Sequence, residues 1–214
     1  MATVTRLERQ KKHPERVNVY LDGDFAFSLP DIEAARLSKG QVLSEAEMAH
    51  LQAQGTLAKA VDQALRLLAS RPRSVHEVRL ALAKKHDSGV VERALECLIS
   101  VGYLDDAAFA RFWVDNRTTF KPLSARALRF ELASKGVPEE IVREALAQVV
   151  EAEMALRAAR SQLRRWQGKP RAEFQAHLLA FLQRRGFGFS TAREAVHALM
   201  AQLDEETPEF FADA

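Results

Sequence analysis

Residues 124–149, SARALRFELASKGVPEEIVREALAQV, carry the reading on which the fold rests. The stretch is a helix, a tight turn at Lys135-Gly136-Val137-Pro138, and a second helix. Shifted by 50 residues in either direction, the same figure returns. Leu82, Leu132 and Leu182 fall at equal intervals, as do Val78, Leu128 and Leu178. A basic residue closes the first helix each time, as Lys85, Lys135 and Arg185. The second helix then carries Glu92-Arg93-Ala94-Leu95, Arg143-Glu144-Ala145-Leu146 or Arg193-Glu194-Ala195-Val196. So many coincidences at one period mark a repeat array.

Working outward from that stretch, the first module is read as helices over 57–70, 74–86 and 90–101, with Ser74 as an N-cap and Glu77 completing its capping box. The second opens at Asp105, passes Lys121-Pro122 and runs into the stretch above. The third has a single long helix over 151–166, then helices over 171–185 and 191–203. In the long helix Ala152, Leu156, Ala159, Leu163 and Trp166 recur at steps of four and three, which predicts one apolar face.

Residues 1–30 have a different texture: short β-branched and aromatic runs, with Asp22-Gly23 as a hairpin turn needing positive φ at both positions. They predict three antiparallel strands, followed by short helices over 31–37 and 44–54, the latter boxed by Ser44 and Glu47. The domain reading is therefore an N-terminal β-containing unit over 1–55, three-helix repeats over 56–104, 105–150 and 151–206, and a frayed acidic tail over 207–214. The fold class is mainly α: tandem three-helix repeats stacked into an elongated, curved solenoid, whose working part is a surface.

Bulk properties narrow the class. The 214 residues, 47% hydrophobic with net charge +2, suffice for a soluble globular protein. No apolar run approaches the ~18 residues that a membrane span needs. The one cysteine, Cys97, has no partner for an intramolecular disulfide, and with no signal peptide apparent this predicts a cytoplasmic protein.

No catalytic or metal-binding constellation emerges, and no cofactor is predicted. Asp105-Asp106 reads as a helix cap. His76-Glu77 lacks the second histidine of a zinc-protease motif, since Leu80 stands there. Gly186-Phe187-Gly188 lacks the Lys-Ser/Thr pair of a phosphate loop and reads as a helix C-cap and turn. Cys97 reads as a small buried hydrophobe; Trp113, Trp166, Phe187 and Phe189 read as packing residues.

Charge is the informative feature. Between Arg157 and Arg193 stand nine basic residues and one acid, Glu173. Arg157, Arg160 and Arg164 are spaced to form one cationic stripe, followed by Arg165, Arg184 and Arg185. Weaker clusters are Lys84 and Lys85 in the first module and Arg117, Lys121, Arg126, Arg129 and Lys135 in the second. Ordinary exposed helices interleave signs, so this distribution predicts a surface for a polyanion or an acidic protein.

With these features assembled, the chain resembles the RecX family, bacterial regulators of the recombinase RecA. The resemblance rests on Gly102-Tyr103-Leu104-Asp105-Asp106 followed by Phe109-Ala110, on Glu131-Leu132 with Lys135-Gly136-Val137, on the 50-residue spacing, and on an N-terminal VNVYLDGDFAFSLP. It departs from the family at Ser124-Ala125, where Gly-Pro is common, and at Ala81, where a basic residue is frequent. The resemblance implies a non-enzymatic protein that lies in the groove of the RecA–DNA filament and opposes its growth, strand exchange, ATPase and coprotease activities. Some members of that family also bind DNA alone. The predicted partners are thus the RecA nucleoprotein filament and non-specific DNA, engaged by a monomer. The candidate contacts are the thirteen basic residues of the clusters just named, from Lys84 to Arg185. A stand-alone, sequence-independent nucleic-acid-binding protein is the alternative reading.

Overall fold

A computed structural model describes residues 1–212. It resolves into two compact units, Met1–Leu104 and Asp105–Ala214. In the first, strands β1 (Ala2–Arg9), β2 (Arg16–Leu21) and β3 (Asp24–Pro30) form the expected antiparallel meander. The β2–β3 turn uses positive φ at Asp22 (51°) and Gly23 (103°), as a type I′ hairpin requires. A fourth strand, β4 (Val42–Leu43), pairs with the start of β1 beyond the short helix α1 (Asp31–Ala34), so the sheet order is β3-β2-β1-β4. Two residues are too short a run to show alternation, which is why the sequence reading stopped at three strands.

Where two helices were expected over 44–54 and 57–70, one helix, α2 (Glu45–Ser70), runs unbroken. Gly55 does not interrupt it. A Cβ at Gly55 would lie 2.2 Å from the Ser28 carbonyl oxygen, so glycine there lets α2 press against the sheet. Arg16 locks the same contact from inside: its guanidinium donates to Asp62 Oδ2 (3.0 Å) and to the Gly55 carbonyl (3.1 Å) while its side chain is almost fully buried. The N-terminal half of α2 thus covers the sheet core of Val4, Val19, Phe27 and Leu29. Its C-terminal half is the first helix of a repeat completed by α3 (Val75–Leu82) and α4 (Ser88–Ser100). Both expected capping boxes, Ser44 with Glu47 and Ser74 with Glu77, are formed. The buried stripe of α4 is Val91, Ala94, Leu95 and Leu98; Cys97 falls outside it and is exposed, contrary to the sequence reading.

The second unit holds α5 (Asp106–Phe120), α6 (Ala125–Ser134) and α7 (Glu139–Leu146), then α8 (Glu151–Arg160), α9 (Leu163–Trp166), α10 (Arg171–Arg184) and α11 (Phe189–Glu206). Asp105 caps α5 through bonds from the Ala107 and Ala108 amides. The repeat period is written into the cores: Val78, Leu128 and Leu178, and Leu82, Leu132 and Leu182, are all fully buried. The predicted long helix over 151–166 is instead broken after Arg160, where Ser161 Oγ donates back to the Ala158 carbonyl and competes with the helical ladder. Its buried positions are Met154, Ala155, Ala158 and Ala159, and the three alanines let α11 approach closely, while Ala152 is exposed.

The α10–α11 turn seats on the start of α6. Gly186 has φ 92°, and a Cβ there would lie 2.6 Å from Ser124 Oγ. The Ser124 amide donates to the Arg185 carbonyl (3.2 Å), and Ser124 Oγ accepts from the Ala127 amide. Position 174, one period after Ser124, is Phe174, and α10 begins a turn earlier than its counterpart in the second repeat. The tail is not frayed over its described length. A 3₁₀ turn at Pro208–Phe210 returns the chain, and Phe210 and Phe211 are buried edge-on against Phe174, each with ring centroids 5.4 Å away. Asp213 and Ala214 lie outside the described residues. Among the described residues no helix is long and apolar enough to cross a membrane.

Candidate functional site

On α5, Trp113, Arg117 and Phe120 stand at i, i+4 and i+7 and share one face. Trp113 Nε1 and Arg117 Nε both donate to Glu131 Oε2 of α6, at 2.8 and 2.7 Å. The Arg117 guanidinium carbon lies 4.4 Å from the centroid of the Trp113 ring, and Lys135 Nζ lies 4.1 Å from it. An indole held in this way between two cations is a cation–π stack pinned by one carboxylate.

Arg185, at the end of α10, joins this cluster. Its guanidinium carbon stands 4.9 Å from the Phe181 ring centroid. Its Nη1 is shut off from solvent with no hydrogen-bond acceptor among the described residues. Burial, and then the charge of Arg117, push the Arg185 guanidinium pKa below its ordinary value. Arg126 reaches the adjacent Gly186 carbonyl at 3.5 Å. Arg157 reaches the Thr118 carbonyl near the C-terminus of α5, at 3.4 Å, where a cation complements the helix dipole. Five of the predicted residues, Arg117, Arg126, Lys135, Arg157 and Arg185, are thereby tied to the C-terminal half of α5, to α6 or to the turn seated on it.

The others are placed differently. Lys84 and Lys85 are exposed in the first unit. Arg129 pairs with Glu139 (3.4 Å), and Arg160 donates to Gln202 (2.8 Å). The helix break after Arg160 puts Arg164 on α9, so the single stripe expected from Arg157, Arg160 and Arg164 does not exist. Lys121, Arg164, Arg165 and Arg184 are exposed, with no acidic partner among the described residues.

Local counting also missed distant acids. Arg171, part of the nearly acid-free segment, is clamped by Asp204 of α11, which holds the Asp204 carboxyl below its usual 3.8. Lys169 pairs with Glu173 and lowers that carboxyl likewise. Phe120, 79% exposed, and Phe130, 77% exposed, were not singled out at all. For Phe120 the signal was present in its spacing from Trp113 and Arg117. Phe189, expected to plug a gap, is exposed, whereas Phe187 is buried.

Among the described residues no group of three His, Cys, Asp or Glu side chains could hold a metal. A cavity of about 390 Å³ between α5, α7 and α8 mixes Arg111 and Arg157 with Asp115, Glu144 and Glu153 over a floor of Val149 and Met154. Its opposite charges offset one another around no convergent nucleophile and base.

Comparison with known proteins accounts for all the modules. Family models match in chain order: the regulatory protein RecX N-terminal domain over residues 2–44, and the first, second and third RecX three-helix domains over 60–98, 105–146 and 150–196. The chain belongs to the RecX family. The regulatory protein RecX of Lactobacillus delbrueckii subsp. bulgaricus is 34% identical over 213 residues, spanning 96% of this chain and 78% of that one. That of Bacillus pumilus is 29% identical, spanning 98% and 82%. A crystal structure of a regulatory protein RecX matches with a TM-score of 0.67 at 27% identity, over 89% of this chain and 97% of that one. RecX from Lactobacillus salivarius, at 18% identity and a TM-score of 0.58, shares the fold. These RecX relatives are named as regulatory proteins, and the cluster around Trp113 lies within the second RecX three-helix domain.

Proposed function

We propose that this protein regulates the recombinase RecA by laying its helical repeats in the groove of the RecA–DNA filament. There it opposes filament growth and strand exchange, and with them the ATPase and coprotease activities of the filament. The observation that carries the reading is the ordered match of all four RecX modules, which leaves no part of the chain for a separate catalytic domain. The cationic cluster supports it, because a filament built on DNA offers a repeating, negatively charged partner. Several repeats engaging successive filament positions gain avidity without requiring any one strong contact. Inhibition then follows from tighter binding to one filament state than to another, which shifts the assembly equilibrium by that difference alone.

The test replaces Arg164, Arg165, Arg184 and Arg185 together with Glu. The first three are exposed and unpaired by acids among the described residues, so folding tolerates their loss. The expected result is loss of RecA ATPase inhibition with an unchanged far-UV circular dichroism spectrum. Full inhibition by the folded variant removes these residues from the mechanism.

A further inference from the structure

The cleft of about 390 Å³ between α5, α7 and α8 has an apolar floor, with Val114 and Met154 buried and Val149 half-buried. Its walls carry Arg111 and Asp115 on α5, Glu144 on α7, and Glu153 and Arg157 on α8, all exposed. Arg111 with Asp115, and Glu153 with Arg157, stand four residues apart, the spacing at which opposite charges on a helix meet. Neither pair closes to within 4.0 Å, and Glu144 has no ion-pair partner either, among the described residues. Arg157 instead donates to the Thr118 carbonyl (3.4 Å), which draws it from Glu153. Arg111 also lines a smaller cleft with Ile141 and Glu144. The carboxylates therefore outnumber the guanidiniums, and their oxygens stay open to a partner.

That combination selects an occupant by charge. A chain of phosphates would meet the excess of carboxylates and be repelled. A purely apolar side chain would strip water from charges that it cannot pair. A long basic side chain suits both parts: its methylene stem covers an apolar floor while its charged head reaches the acids. We propose that this cleft is a protein-docking site, in which a Lys or Arg side chain from a protein subunit of the RecA filament lies over Val149 and Met154 and pairs with Asp115 and Glu153. Arg111 and Arg157 on the walls turn away a second cation, so the site favours a basic side chain with an acidic neighbour. α5 thereby works through two faces, with Trp113 and Arg117 toward α6 and Arg111 and Asp115 toward the cleft.

This deepens the regulatory reading and rests on it, since it names where the chain grips the protein part of the filament. The docking site and a purely phosphate-held surface predict effects of opposite sign. In the double variant Asp115→Lys, Glu153→Lys the cleft repels a basic side chain, and half-inhibition of the RecA ATPase is expected to need about tenfold more protein. A surface held by phosphates alone would gain from two added cations and inhibit better. Both carboxylates are exposed and unpaired among the described residues, so the thermal midpoint should hold. The milder pair Asp115→Asn, Glu153→Gln removes the attraction without adding repulsion. It should show a smaller loss of inhibition, and it carries the test if the lysine variant fails to fold.

Inhibition by the folded variants equal to that of the unsubstituted protein overturns the docking site. Stronger inhibition by the lysine variant overturns it too and assigns the cleft to the neighbourhood of nucleic acid. In both cases the regulatory reading stands. Absence of inhibition by the unsubstituted protein overturns that reading, and the docking site with it.

Discussion

The first and second repeats put different chemistry on one scaffold. Counting back 50 residues from Trp113, Glu131 and Lys135 gives Gln63, Ala81 and Lys85. In the first repeat Gln63 makes neutral bonds, donating to the Ala81 carbonyl (3.4 Å) and meeting His86 Nε2 (3.3 Å). In the second the same place holds an indole between Arg117 and Lys135, tied to Glu131. The leucines beneath are alike, with Leu82 and Leu132 both fully buried. The comparison separates what the period conserves, which is the packing stripe, from what each repeat is free to vary, which is the face next to it.

The largest expected effect breaks the shared half of that comparison. Leu82→Ala and Leu132→Ala should each cost about 3 kcal/mol, since each deletes a fully buried side chain and leaves a cavity. Urea unfolding followed by circular dichroism checks this, and a cost below about 1 kcal/mol at either site would deny the two leucines an equivalent role.

A smaller effect sharpens the variable half. Trp113→Gln gives the second repeat the residue of the first; it strips Lys135 of its indole and Glu131 of one donor. Stability should fall by about 1–2 kcal/mol, from the lost aromatic contacts and cation–π stack. Inhibition of the RecA ATPase should weaken as Arg117 and Lys135 lose their fixed positions. Inhibition at full strength would mean that the stack does not position the cations.

The smallest effect concerns pH. Arg171 holds the Asp204 carboxyl below its usual 3.8, so the folded protein binds that proton more weakly than the unfolded chain does. The stabilising contribution is present above the unfolded pKa and is lost as pH falls through the folded one. Asp204→Asn should therefore lower the melting temperature slightly at neutral pH, and the gap should close on acidification below the carboxyl range. The pair is exposed, so the shift is small and shrinks with salt.

How much was legible in the sequence follows the range of each interaction. The period, the capping serines and the Asp22-Gly23 hairpin are set by residues a few positions apart, and all three appear where the sequence puts them. Gly55 misled because a glycine that breaks a helix and one that admits a neighbouring strand look the same from within the helix. The charge tally misled because Asp204 meets Arg171 from 33 residues away, beyond the segment that was counted. Of the candidate site, the basic residues could be named but not their grouping, because contacts between helices bring Lys135 and Arg185 to the same α5 face. Phe120 could be found only by asking which aromatic shares a face with Trp113 and Arg117.

The aromatic closure at the C-terminal end bears on repeat number. In the second repeat, Ser124 is a socket of small polar atoms that receives the glycine turn of the next repeat. One period on, that socket is filled by Phe174, roofed by Phe210 and Phe211. The same place in two successive repeats therefore takes opposite roles: at Ser124 it receives a neighbouring turn, and at Phe174 it is closed by the chain's own returning segment.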